Sequence, residues 1–226
     1  MKKKIKQALI SLSDKSNLKA VLKVLKKYNI KIISSGGTSK EIKKLGFKYT
    51  EISKFTKSPE ILDGRVKSLH PKIYAGILSK RDSKKHYKEL KNYNYEEIDL
   101  IIVNFYPFEK TLERTKNHKK IIENIDIGGP TLVRAAAKNY HDVTVITDPS
   151  QYENLIKQLN TYKGTTSLNF RQKMSEEAFS ETAYYDSLIS NYFNKITNTK
   201  FPEKKVMQGN LIETLRYGEN PHQKSG

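Results

Sequence analysis

Residues 63–71 read Asp-Gly-Arg-Val-Lys-Ser-Leu-His-Pro, a run that sets two cations, a hydroxyl and an imidazole close together. Arg65 and Lys67 alternate, so an extended segment would turn both to one side, an arrangement suited to phosphate and carbonyl oxygens. Read singly, the two cations are an ordinary solvated face in a lysine-rich chain, and His70 is a loop histidine held by its own hydrogen bonds. Three further clusters combine small and polar residues: Ser11 to Lys15, with Ser13 and Asp14 inside it; Ser34 to Thr38, built on Ser35, Gly36 and Gly37; and Asn104-Phe105-Tyr106-Pro107. Glycine lets a backbone approach a ligand closely, hydroxyls add donors, and a helix that follows offers unpaired N–H groups to an anion. The Thr38 hydroxyl is expected to donate to such an anion. Asp126 precedes Ile127, Gly128 and Gly129 at the opening of a helix and by itself reads as an N-cap.

These clusters need a frame that gathers them. Residues 7–11 form an apolar run, and 15–28 place Leu18, Val21, Leu22 and Leu25 at helical spacing. The unit repeats at 31–38, with a helix over 39–45 stopped by Gly46. Further strands are expected at 47–52, at 99–103, whose hydrophobicity suits a strand buried on both faces, and at 143–147, followed by a helix over 150–159. Such alternation predicts an α/β fold: a doubly wound, mostly parallel sheet with helices on both faces and ligands beyond the carboxyl ends of the strands. All three polar clusters then share one rim, which points to a phosphate-type ligand. Residues 167–196 carry no glycine or proline and predict one long helix or two shorter ones. The domain reading is 1–149 for the α/β domain, 150–200 for a helical extension that completes it, and 201–226 for a linker and the start of something further.

Composition narrows the function classes. Of 226 residues, 42 are basic and 24 acidic, a net charge of +18. That excess raises nucleic-acid binding, but only six of the cations are arginine, the residue that supplies most bidentate contacts, and the lysines are spread along the whole chain. An anionic small substrate accounts for the same charge. Without cysteine there is no disulfide framework, thiol nucleophile or thiolate-bound metal. No stretch suits a membrane span or a signal peptide, so a soluble, cytoplasmic protein is expected, with no nucleic-acid or membrane partner.

Ser13-Asp14-Lys15, Ser35-Gly36-Gly37-Thr38, GRVKSLHP (64–71), NFYPF (104–108), IDIGG (125–129) and RAAAKN (134–139), in this order, closely resemble the inosine monophosphate (IMP) cyclohydrolase domain of the bifunctional purine-biosynthesis enzyme. That enzyme couples the cyclohydrolase to aminoimidazole carboxamide ribonucleotide (AICAR) transformylase. The resemblance implies a methylglyoxal-synthase-like α/β domain, a homodimer, and closure of formyl-AICAR to IMP with loss of water, in the cyclic amidine-forming hydrolase class. By position, it implies that Ser13, Asp14, Lys15 and Ser35 to Thr38 hold the nucleotide and especially its phosphate. It places Arg65, Val66, Lys67, Ser68, Asn104, Phe105, Asp126 and Ile127, with Gly128 and Gly129 of the same motif, near the base and formyl group, and makes Lys138 the proton donor/acceptor. Ser68 stands where the family usually has threonine, and Phe105 where leucine is common. The stretch LRYGENPHQ (215–223) resembles the entry to the transformylase, so Arg216 and Tyr217 would be remnants of its AICAR contact; formyl transfer, with 10-formyltetrahydrofolate as co-substrate, is expected to be absent here.

The reaction suits these residue types. A poorly nucleophilic carboxamide nitrogen attacks a formyl carbon in the same molecule, so the protein selects a conformer and stabilises charge. Lys67 and the backbone around Ser68 are candidates for the formyl oxyanion, and Asp126, Lys138 and Tyr106 for the proton transfers. The dehydration calls for no metal or cofactor. A methylglyoxal-synthase-like lyase or a nucleotide-binding regulatory domain would share the fold, but not these motifs.

Overall fold

The structure, a computed structural model, describes residues 2–213; Arg216 and Tyr217 lie outside them. Its centre is a five-stranded parallel sheet in the order β4 (Thr50–Glu51), β3 (Lys31–Ser34), β2 (Gln7–Leu12), β5 (Leu100–Asn104) and β6 (Thr144–Ile146). Ala8 pairs in register with Ile32 on one side and Leu100 on the other, and Leu12 lies opposite Asn104. The carboxyl ends of β2 and β5 are therefore level.

The chain first steps outward from β2 through α1 (Leu18–Lys27) to β3, and through α2 (Gly36–Lys44) to β4 and α3 (Ile52–Thr56). It returns by α4 (Pro71–Leu78) and α5 (Lys84–Asn92) to β5 beside β2, then moves the other way through α6 (Phe108–Arg114), α7 (His118–Glu123) and α8 (Gly128–Lys138) to β6. Because parallel crossovers are right-handed, this reversal sends α1 and α8 to opposite faces and opens a crevice between the ends of β2 and β5. Helix α9 (Tyr152–Thr161) packs on α1, and α4 packs on α8. Leu18, Val21, Leu22 and Leu25 are buried, as their spacing requires.

Four local outcomes differ from the sequence reading. The strand expected at 47–52 is reduced to two residues, because α2 ends in a glycine cap: the N–H of Gly46 (φ +79°) donates to Lys43 O and that of Phe47 to Ile42 O. Those N–H groups are unavailable to a ladder, and 52–56 coils into α3. Helix α1 starts at Leu18, after a left-handed Asn17, rather than at 15. Helix α2 begins already at Gly36, so the polar turn is itself the helix N-terminus. Residues 2–4, which carry no apolar pattern, form β1 (Lys2–Lys4), antiparallel to β7 (Thr165–Ser167), a partner remote in sequence. The long helix is single, α10 (Leu168–Ile196). Two compact units divide the chain, Met1–Thr182 and Ala183–Gly226. No helix among the described residues is long and apolar enough to cross a membrane.

Candidate active site

A cavity of about 580 Å³ lies at the crevice, bounded by Ser11 and Ser13 after β2, Ser35 and Thr38 after β3, and Asn104 and Tyr106 after β5. Its first wall is the opening of α2. The first N–H groups of a helix lack intrahelical acceptors, and Ser35, in the N-cap position, makes no capping bond with its side chain. Its hydroxyl oxygen has no hydrogen-bond partner among the described residues, although the residue is 3% exposed. Lys15 Nζ donates to Ser13 O (3.1 Å) and stands 3.8 Å from where a Cβ on Gly37 would lie.

Thr38 corrects an expectation. Its Oγ1 accepts from Leu12 N (2.8 Å) and donates to Leu12 O (3.1 Å), so the hydroxyl splices the end of β2 to α2 and its one hydrogen is already committed. Asn104 behaves similarly: Oδ1 accepts from the N–H of Ser13 (2.7 Å) and Asp14 (3.0 Å), and Nδ2 donates to Asp14 O (2.8 Å). Both residues border the cavity while their polar groups shape the loop after β2.

The facing wall is the connection between α3 and α4. Leu62, Asp63 and Gly64 are left-handed in succession (φ 52°, 51° and 82°), a costly conformation for the first two that folds the segment back toward α2. Lys67 Nζ is thereby carried to 3.1 Å from the Cβ position of Gly36 and 3.6 Å from that of Gly64. Arg65 reaches across the mouth and pairs with Glu123 at the end of α7. His70 Nδ1 accepts from Lys72 N (3.1 Å) and caps α4, which is a structural use of the histidine.

Asp126 lies at the inner end. Its Oδ1 accepts from Gly129 N (2.9 Å), and the N–H groups of Tyr106 and Gly128 also face the carboxylate. Burial pushes the Asp126 carboxyl above its ordinary value, against the opposing pull of those N–H groups and of the Lys67 charge. The two glycines are required by contact. A Cβ on Gly128 would come within 2.6 Å of Ser68 Oγ, and one on Gly129 would collide with Asp126 and Phe105.

The structure thus brings Ser13, Ser35, Gly37, Thr38, Arg65, Lys67, Ser68, Asn104, Tyr106, Asp126, Ile127, Gly128 and Gly129 to one cavity. Gly36 adjoins it through Lys67, and Phe105 is buried behind Gly129. Asp14 is exposed and accepts from the N–H and hydroxyl of Ser16 (2.8 and 2.6 Å), and half-buried Val66 does not border the cavity. Lys138 is not brought in: it is exposed at the far end of the 11-residue α8, about 15 Å along the axis from Gly128. Ile52, Ile122, Glu123 and Asn124 also form the wall. Nothing in their spacing singles them out, since α3 and α7 reach the site only through the fold. Among the described residues no group of three or more His, Cys, Asp or Glu could hold a metal ion.

Comparison with known proteins identifies the family of this fold. The MGS-like domain family matches residues 17–131, and the AICARFT/IMPCHase bienzyme family matches 136–226. The bifunctional purine biosynthesis protein PurH of Bradyrhizobium diazoefficiens is 43% identical over 98% of this chain, that of Acetivibrio thermocellus 46% over 98%, and that of Prochlorococcus marinus subsp. pastoris 47% over 96%. The chain spans 42%, 43% and 42% of those relatives, respectively. Among solved structures, the crystal structure of ForH superposes with a TM-score of 0.75 at 27% identity, covering 84% of this chain and 99% of that one.

Proposed function

The chain belongs to the MGS-like domain family, and we propose that within it this protein is an IMP cyclohydrolase, closing formyl-AICAR to inosine monophosphate with loss of water. The observation that carries this reading is the orphaned, buried Ser35 hydroxyl at the uncapped start of α2, in the same cavity as the Asp126 carboxylate. A buried hydroxyl without a partner is costly, and a ligand phosphate satisfies it together with the helix N–H groups. The cavity volume suits a nucleotide. The likeness to the PurH proteins over nearly the whole chain supports the same substrate class.

With the phosphate at α2, the base reaches toward Asp126 and Tyr106. The carboxamide nitrogen attacks the formyl carbon and forms the ring C–N bond, with negative charge developing on the formyl oxygen. Lys67, between the α2 turn and Asp126, neutralises that charge, and such preorganised stabilisation is worth most where water is excluded. Asp126 orients the amide and takes its proton, which passes to the formyl oxyanion to give a hydroxyl. The Tyr106 phenol at the mouth protonates that hydroxyl as the C–O bond breaks and it leaves as water, and the former formamide nitrogen gives up its N–H proton to restore the phenol as the ring C=N bond forms. Ser13, Lys15, Gly36 and Gly37 frame the phosphate end, while Thr38 and Asn104 hold the loop that frames it. Lys138 serves this cavity only if a second copy of the chain presents it, in keeping with the homodimer that the resemblance implies.

A spectrophotometric assay of IMP formation from formyl-AICAR tests the reading. Turnover that falls about a hundredfold in Lys67→Ala is expected, and a folded parent protein with no turnover rejects the reading.

A further inference from the structure

The N-cap position of α8 is Ile127, whose side chain makes no cap, and two glycines, the least constrained backbone available, follow it, so the first-turn N–H groups are taken by the carboxylate of Asp126. A second hold on the turn comes from outside it. Tyr74, on α4, has its hydroxyl 2.7 Å from Thr131 Oγ1, and that oxygen lies 3.0 Å from Ile127 O and 2.9 Å from Gly128 O. The hydrogens can be counted. Thr131 has one, shared by those two carbonyls, so its oxygen accepts from Tyr74, and the chain runs Tyr74 O–H to Thr131 O–H to the carbonyls of the turn.

We propose that Tyr74 is a positioning residue for ring closure: through Thr131 it holds the first turn of α8, and with it Asp126, in reactive geometry. Tyr74 does not border the cavity, so it acts through α8 and not on the substrate. Burial, with the negative charge of Asp126 beside it, holds the phenol above its ordinary pKa, and it remains a donor throughout the neutral range. Six residues earlier in the chain, Ser68 packs against Gly128, so the segment 68–74 grips the start of α8 twice. Linked hydroxyls of this kind polarise one another, and losing either end releases the other.

The assignment rests on the cyclohydrolase reading, and two measurements keep the two apart. In steady-state kinetics with formyl-AICAR, Tyr74→Phe and Thr131→Val should each lower kcat by about tenfold to a hundredfold, as displacements near 1 Å do. KM should stay within about twofold, the double variant should be no worse than either single one, and Thr131→Ser should restore the rate. In amide hydrogen exchange, which needs no substrate, Tyr74→Phe should speed exchange at residues 126–131 and leave β2 and β5 protected. Unchanged exchange in a folded Tyr74→Phe protein overturns the brace whether or not ring closure is detected. Faster exchange with unchanged kcat overturns the positioning role, and an additive double variant, or failure of Thr131→Ser to recover, does so as well.

Discussion

The ammonium of Lys67 lies beside Gly36, 3.1 Å from where any side chain there would place its first carbon. Gly36 also has φ +59°, in the region that side chains disfavour. One position therefore serves two ends: it starts α2 and leaves room for a cation that the chain brings from the loop after α3. Gly36→Ala should strain the turn by roughly 1 kcal/mol and displace Lys67, lowering both IMP affinity and turnover. Calorimetry and the ring-closure assay check this, and normal values for both would refute the double role.

Lys67→Ala removes the charge without burying anything new. Loss of one stabiliser of developing charge should lower kcat by about a hundredfold, on the order of 3 kcal/mol. A normal kcat with a raised KM would make Lys67 a binding residue only.

Thr38→Val should act on stability before chemistry. Its hydroxyl makes two bonds to Leu12 in a buried setting, and their loss strands a buried N–H and C=O. A cost of roughly 1–3 kcal/mol is expected in urea unfolding, with Thr38→Ser close to the parent. Unaltered stability together with weakened IMP binding would return the hydroxyl to the phosphate.

Asp126 imposes a pH dependence of known sign. Its carboxyl is raised in the folded state above the ordinary value of 3.8, so the folded chain holds the proton more tightly than the unfolded one. The contribution of this group is most favourable below 3.8 and is lost as pH rises through the raised value. Asp126→Asn cannot titrate, so relative to the parent its stability should rise from acid to neutral pH while turnover collapses. Parallel stability profiles across that range would disprove the assignment.

Arg65 is held by Glu123 across the mouth of the cavity, and both side chains are well exposed. An anionic nucleotide that recruits Arg65 must break this pair. Exposed pairs are worth up to about 1 kcal/mol, so Glu123→Gln should tighten IMP binding by at most about fivefold. Weaker binding in the variant would mean that Glu123 itself contacts the ligand.

Local pattern alone placed the central strands and α1, because a continuous apolar run such as that around Ile101 and Ile102 suits a strand buried on both faces, and Leu18, Val21, Leu22 and Leu25 share one buried face only at helical spacing. The polar clusters at the strand ends were legible for a related reason: glycines and hydroxyls where a strand runs out are unusual whatever lies beyond. Hydrogen-bond use was not legible. The sequence shows Thr38 and Asn104 as polar groups near a rim and does not single out Tyr74, and only tertiary structure commits the first two to the loop after β2 and the third to α8. The left-handed run at 62–64 and the bond from Arg65 to Glu123 escaped for the same reason, as did the separation of Lys138 from the cavity. Local pattern determines which face of an element is buried, but a side chain's partner depends on which remote backbone atom arrives beside it, and that is set by the packing of the whole sheet.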